Sequence, residues 1–534
     1  MPTIRMDAAA SLSVSTGYDV SATVRRLVSE DVPRRLAAAD AGLWGPEAAD
    51  EASIRLGWLD TFERSRHLPA ELAELREGLI EDGIRHVVLA GMGGSSLAPE
   101  VICRTLDVPL TVVDTTDPEQ VTEALRLPLN ETVVVVSSKS GGTVETDSLR
   151  RSWVQAFTDA GIKDFGKHVV VVTDPGSPLE QLGTAMGAKV FLADANVGGR
   201  YSALTAFGLV PAALAGVDVA TLLDEAAAFA DTIVNPAGEN PALLLGALLA
   251  ERQTVTIAED GTGIVGLGDW AEQLIAESTG KNETGILPVV VETPTARGAR
   301  TGEVLSITVG GATPHTGKAS SLEPPDVAVN GPLGAQFLCW ELATAYAGHL
   351  LGINPFDQPN VAESKDNTKR ILETGVPDEQ PVFEETGLLA YGTRADNLVD
   401  ALRSLVDQVG EDGYLAVMAY LDRSADHRLA GMRESLASTT TAPITFGWGP
   451  RFLHSTGQFH KGGRQTGVFL QITADSGNDV EVPGRPYGFA DLIAAQAAGD
   501  RKALRDRQRP LLWLHLRDRA IGVDAILAAA KEIR

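Results

Sequence analysis

The chain has 534 residues, 44% of them hydrophobic, and a formal net charge of −26. That length exceeds one ordinary hydrophobic core and implies two or three domains. The charge argues against nucleic acid or an anionic membrane as main partner, since both would be repelled, and an anionic substrate would need a locally positive site. The only cysteines, Cys103 and Cys339, lie in apolar stretches. They are expected to be buried free thiols in a reducing cytoplasm. Met1 to Thr16 lacks a secretory pattern, and no apolar run is long enough to span a membrane.

Residues 1–80 read as an N-terminal helical segment, with apolar positions at helical spacing in Val24, Leu27, Leu36, Leu72, Leu75 and Leu79. From His86 the pattern changes to short apolar runs separated by helical stretches: His86 to Gly91, Leu110 to Asp114, Thr132 to Ser137, Val169 to Asp174 and Val190 to Ala193. Strands that are apolar throughout and alternate with helices imply a parallel sheet covered on both faces. Residues 81–217 are therefore expected to form a doubly wound α/β domain, whose ligand lies at the carboxyl ends of the strands. A second α/β domain is expected over 218–377, with strands at Thr254 to Ala258, Ile286 to Val291, Val304 to Val309 and Asp326 to Val329. Gly375 to Glu385 reads as a boundary or surface loop. A C-terminal α/β extension, 378–534, carries strand candidates at Leu415 to Tyr420, Ile444 to Trp448, Val468 to Thr473 and Pro510 to Leu516.

Two loops carry the chemistry of anion binding. The first strand runs into Gly91-Met92-Gly93-Gly94-Ser95-Ser96 and then a helix. Glycine lets the backbone approach an anion, and the helix N-terminus presents unpaired N–H groups. A dinucleotide fingerprint would need a further glycine or alanine that is absent. The third strand runs into Ser137-Ser138-Lys139-Ser140-Gly141-Gly142-Thr143, again before a helix. It is not a Walker loop, because the lysine precedes the glycines. Either loop alone could be a plain tight turn. Two hydroxyl-rich turns at one sheet edge suit a phosphate monoester.

These loops resemble the phosphate site of the sugar-isomerase (SIS) fold, and three further segments narrow the resemblance to the phosphoglucose isomerase family. They are Asn196-Val197-Gly198-Gly199-Arg200-Tyr201-Ser202, Gln273-Leu274-Ile275-Ala276-Glu277-Ser278-Thr279-Gly280-Lys281, and Phe356-Asp357-Gln358-Pro359-Asn360-Val361 with Lys365. The resemblance implies two SIS-type domains and the interconversion of glucose 6-phosphate and fructose 6-phosphate without metal or cofactor. It implies that Gly94, Ser95, Ser138, Ser140 and Thr143 hold the phosphate, with Lys139 nearby. Glu277 would be the base, Arg200 would stabilise the enediolate, Gln273 and Gln358 would line the sugar site, and Lys365 would assist ring opening. A homodimer is also implied, because the family takes its ring-opening histidine from the neighbouring subunit. The residue types fit: removing a proton beside a carbonyl needs a positioned base and a stabilised oxyanion.

The sequence departs from the family in two places. Ala362 stands where the family usually has glutamate, with Glu363 following. The ring-opening histidine is displaced: His315 lies in the usual interval, but the donor-rich segment Gly449 to Gly463 supplies His460 and His454. His460 is the first choice, with His315 and His454 open. A broader isomerase that also takes mannose 6-phosphate, or a catalytically silent sugar-phosphate regulator, would share the phosphate loops.

Overall fold

The computed structural model describes residues 4–7, 12–234, 240–261, 263–300, 303–310 and 325–533. The chain begins with a hairpin of β1 (Ile4–Asp7) and β2 (Ser13–Thr16). There follow β3 (His86–Gly91), β4 (Thr111–Val113), β5 (Thr132–Ser137), β6 (Val169–Thr173) and β7 (Lys189–Leu192). Next come β8 (Thr254–Glu259), β9 (Leu287–Val290), β10 (Val304–Val309) and β11 (Val327–Asn330). The last strands are β12 (Phe383–Glu385), β13 (Leu388–Tyr391), β14 (Tyr414–Tyr420), β15 (Ile444–Trp448), β16 (Gly467–Ala474) and β17 (Leu511–Leu516). The helices that shape the site are α1 (Leu97–Thr105), α2 (Val144–Asp159), α3 (Leu267–Thr279), α4 (Leu333–Leu351), α5 (Val361–Thr374) and α6 (Phe489–Asp506).

Three sheets result, and the fold is the expected one: two doubly wound SIS-type units with N-terminal helices and an additional C-terminal α/β region. The first sheet has order β4-β3-β5-β6-β7 and is parallel throughout. Its centre is β5, Thr-Val-Val-Val-Val-Ser, buried at every position. β-branched side chains fit a pleated surface covered on both faces. Strand order reverses between β3 and β5, so a crevice opens at their carboxyl ends. Both hydroxyl-rich loops emerge there.

The second sheet has order β1-β2-β11-β10-β8-β9, and the third β12-β13-β17-β16-β14-β15. One continuous apolar cluster joins the N-terminal segment to the first two units, from Met6 through Trp58 and Leu274 to Phe356. The third sheet has apolar clusters on both faces. Both cysteines are free and buried, and burial pushes the Cys103 thiol up to about 12.

The structure differs from the sequence expectation at two sheet edges. The N-terminal segment is not wholly helical: β2 pairs antiparallel with β11 and so extends the second sheet. Its Ser-Val-Ser-Thr composition carries no apolar run, yet all four residues are buried. The stretch expected to be a boundary loop contains β12, which hairpins with β13 through Thr386 and Gly387 at φ 48° and 74°. Two successive left-handed residues are the geometry of a tight hairpin.

One buried group works against this fold. Glu341 on α4 is 1% exposed, and neither carboxyl oxygen has a hydrogen-bond partner among the described residues. Burial raises its pKa well above the ordinary value, so folding favours its protonated form. The unfolded state then binds fewer protons, and stability falls by about 1.4 kcal/mol per pH unit above the unfolded pKa. Glu341→Gln is expected to be more stable than wild type at pH 8, with a gap that narrows towards pH 5. Urea denaturation at both values checks this; an equal difference at both would contradict it.

Candidate active site

The two loops are built as the glycine and serine spacing suggested. Gly93 takes φ +55°, and a Cβ on Gly94 would lie 2.1 Å from the Gly199 carbonyl oxygen, so only glycine permits this approach. Ser95 is buried at the turn. In the second loop Ser138 Oγ donates to Thr143 Oγ1 at 3.1 Å, and Gly142 N–H donates to Ser140 Oγ at 3.3 Å. Thr143 occupies the N-cap of α2 without capping it through its side chain, so amides of the first turn remain for an anion. Lys139 turns towards Asp174, its ion-pair partner, and the Ala195 carbonyl.

Beside these loops lies a buried polar cluster. Arg200, 3% exposed, follows the Gly198-Gly199 turn that packs on Gly94. Its Nε donates to Ser278 Oγ at 2.8 Å, one terminal nitrogen to Gln358 Oε1 at 2.9 Å, and the other to the Pro355 and Asp357 carbonyls. It also faces Glu277 Oε1 at 3.2 Å. Gln273, one turn back on α3, donates to Glu277 Oε2 at 3.0 Å. Gln273 Oε1 is buried with no partner among the described residues, an acceptor suited to a ligand hydroxyl. A Cβ on Gly93 would meet the Gln273 amide at 2.8 Å, so the first loop touches this cluster directly.

Of the candidate histidines, His454 is the one brought here. Its Cβ lies against Gly93, and its Nε2 is 3.0 Å from Glu145 Oε1. Glu145, in the first turn of α2, also accepts from Gln496 of α6 at 2.7 Å, and Gln496 in turn accepts from Thr116. Burial raises the Glu145 carboxyl, but the imidazole of His454 and the more distant Lys365 outweigh it and hold the pKa below its ordinary value. Lys365, exposed on α5, lines the same cleft of about 840 Å³ as His454 and Gly142.

His460 stands apart from this group. The short helix Gly457–Gly462 turns its ring into the aromatic core, stacked with Tyr414 and edge-on to Phe469. Its Nδ1 is 3.0 Å from the Tyr414 hydroxyl, and burial lowers its pKa to about 3, so the ring stays neutral. His315 lies outside the described residues. Sequence reasoning gave no role to Glu145, two residues beyond Thr143, because an acid in a first helical turn usually serves the helix dipole. It also left Lys281 without a role. That ammonium is buried, donates to Asp357 and the Asn354 carbonyl, and so pins the loop that carries Gln358. Among the described residues no group of three or more His, Cys, Asp or Glu could hold a metal ion.

Residues 72–283 match the phosphoglucose isomerase family model. This segment is similar to the phosphoglucose isomerases. It is 32% identical over 262 residues to the glucose-6-phosphate isomerase of Gloeothece citriformis, covering 45% of this chain and 48% of that protein. It is 32% identical over 259 residues to that of Carboxydothermus hydrogenoformans, covering 43% and 56%. The chain thus spans about half the length of the curated relatives it matches. A hypothetical protein of Thermus thermophilus superposes with TM-score 0.57 at 26% identity, over 66% of this chain and 97% of that one. A glucose-6-phosphate isomerase structure from Chlamydia trachomatis superposes with TM-score 0.56 at 20% identity, over 69% and 89%, and shares the fold.

The hydrogen bonds of Arg200 cannot be replaced by an ammonium, which has three donors and no planar fork. Arg200→Lys should leave at least two buried acceptors unpaired and lower stability by about 2 kcal/mol. Urea denaturation measures this; a loss below about 0.5 kcal/mol would mean that the network carries little of the fold.

Proposed function

We propose that the protein interconverts glucose 6-phosphate and fructose 6-phosphate through an enediolate, with Glu277 as the proton shuttle. The observation that carries the reading is Arg200 fixed against Glu277 beside two glycine- and hydroxyl-rich loops at a sheet switch point. The Gly94, Ser95, Ser138, Ser140 and Thr143 loops hold the phosphate by backbone amides and hydroxyls, with Lys139 behind them tied to Asp174. Phosphate binding by local dipoles suits a protein whose overall charge is −26.

His454 opens the sugar ring, held in position by Glu145, and Lys365 stands across the same cleft. In the open chain, Glu277 takes the proton from the carbon next to the carbonyl and returns it to the former carbonyl carbon, from C2 to C1 for the aldose and from C1 to C2 for the ketose. Arg200 offsets the negative charge that builds on the enediolate oxygens. Gln273 and Gln358 hold Glu277 and Arg200 in register and line the sugar. The homodimer that the family resemblance implies is part of this reading, and the chain itself carries Glu277, Arg200, His454 and Lys365. No helix among the described residues is long and apolar enough to cross a membrane.

Glu277→Gln should lower turnover by about 10²-fold or more while fructose 6-phosphate still binds. A coupled spectrophotometric assay with calorimetry separates the two quantities. Wild-type-like turnover in the variant would refute the base assignment, and binding without turnover in the wild type would favour a silent regulator. His454→Asn should lower kcat about 10²-fold. His460→Phe, a near-isosteric core change, should leave kcat within about threefold and act on stability instead. The opposite pattern would return the ring-opening role to His460.

A further inference from the structure

A second cavity, about 800 Å³, is lined on α3 by Asp269 and Glu272, next to the stretch that carries Gln273 and Glu277. It is bounded by α1, by α3 and by the carboxyl ends of β14 and β15, so all three sheets contribute to its walls. Its apolar wall includes Leu97, Val113 and Val290, with the half-buried rings of Phe446 and Trp448 packed edge to face.

The polar groups facing this cavity are unbalanced. Arg451 is bonded to Glu100 and Asp114, and Arg423 to Glu100. Arg433 forks onto Glu292. These cations are matched. What remains on the wall are acceptors. Glu272 receives one hydrogen bond, from Ser455 Oγ at 2.8 Å. Asp269 has a single loose ion pair, 3.9 Å from Arg451. Gln120 is nine-tenths buried, and its Oε1 has no partner among the described residues. Arg104, at the rim, is the remaining cation.

We propose that this cavity binds a small organic ammonium ion, with its N–H donors on Asp269, Glu272 and Gln120 and its apolar part against Phe446 and Trp448. A buried acceptor without a donor costs free energy that a donor-rich ligand recovers, and an aromatic face adds attraction for a cation. Burial, with Asp269 next, raises the Glu272 carboxyl to about 8, so in the empty cavity it is mostly protonated at pH 7. A bound cation favours the carboxylate, and its arrival therefore releases protons. Glu272 is on the helix that carries Glu277, and its partner Ser455 follows His454 in the chain. An occupant would act as an effector of the first site, but the binding itself does not depend on the function proposed above.

The test is calorimetric titration of the full chain with phenethylammonium, and with 2-phenylethanol as its neutral counterpart. Saturable one-to-one binding of the cation is expected, at least tenfold tighter than the alcohol, with proton release at pH 7 seen as a dependence of the heat on buffer. The double variant Asp269→Asn, Glu272→Gln should bind the cation at least tenfold more weakly and release no proton. No binding, equal binding of cation and alcohol, or undiminished binding by the folded double variant would overturn the proposal. Should that variant fail to fold, the comparison of the two ligands on the wild-type protein decides alone.

Discussion

The site depends on one buried cation. Arg200 is almost wholly removed from water, and a guanidinium there is tolerable only if each donor finds an acceptor. It finds them on α3, on the Pro355 to Gln358 loop and on Glu277. The same residue therefore ties the first unit to the second and places a positive charge where the proposed enediolate would need it. The loop that presents it packs on Gly94, where a side chain would collide with the Gly199 carbonyl. Fold and chemistry share these contacts, so few changes here can affect one alone.

The C-terminal region contributes in two ways. Its α6 delivers Gln496 to Glu145, and the loop after β15 delivers His454 to Gly93. The buried pair Glu145–His454 is a carboxylate–imidazole contact made between the first and third units. The family model matches residues 72–283, so Glu145 lies inside the matched segment while His454 and Gln496 lie outside it. The further cavity lies at the same three-way junction, along the helix that carries Glu277.

Much of this was legible in the sequence. The strand Thr132–Ser137 is marked by its run of four valines, Val304–Val309 by its apolar and β-branched residues, and the two hydroxyl-rich loops by glycine and serine at strand ends. The misses have physical reasons. β2 is a buried strand made of serine, valine and threonine, so hydropathy could not find it. β12 is an acidic edge strand, betrayed only by the Thr-Gly turn that follows. His460 and His454 stand in one donor-rich segment, and composition cannot tell which ring faces the cleft. A short helix turns one into the aromatic core and leaves the other beside Gly93. The partner of His454 lies 309 positions away, a pairing no local pattern reveals.

The most direct measurement of the central claim is the fate of hydrogen during turnover of fructose 6-phosphate in D2O, followed by NMR. A single carboxylate that carries the proton between C1 and C2 exchanges part of it with solvent. Glucose 6-phosphate formed by the wild-type protein should carry deuterium at C2 at less than full occupancy, and Glu277→Gln should wash in almost none. Conversion with complete retention of protium, or deuterium incorporation undiminished by loss of the Glu277 carboxylate, would contradict the account.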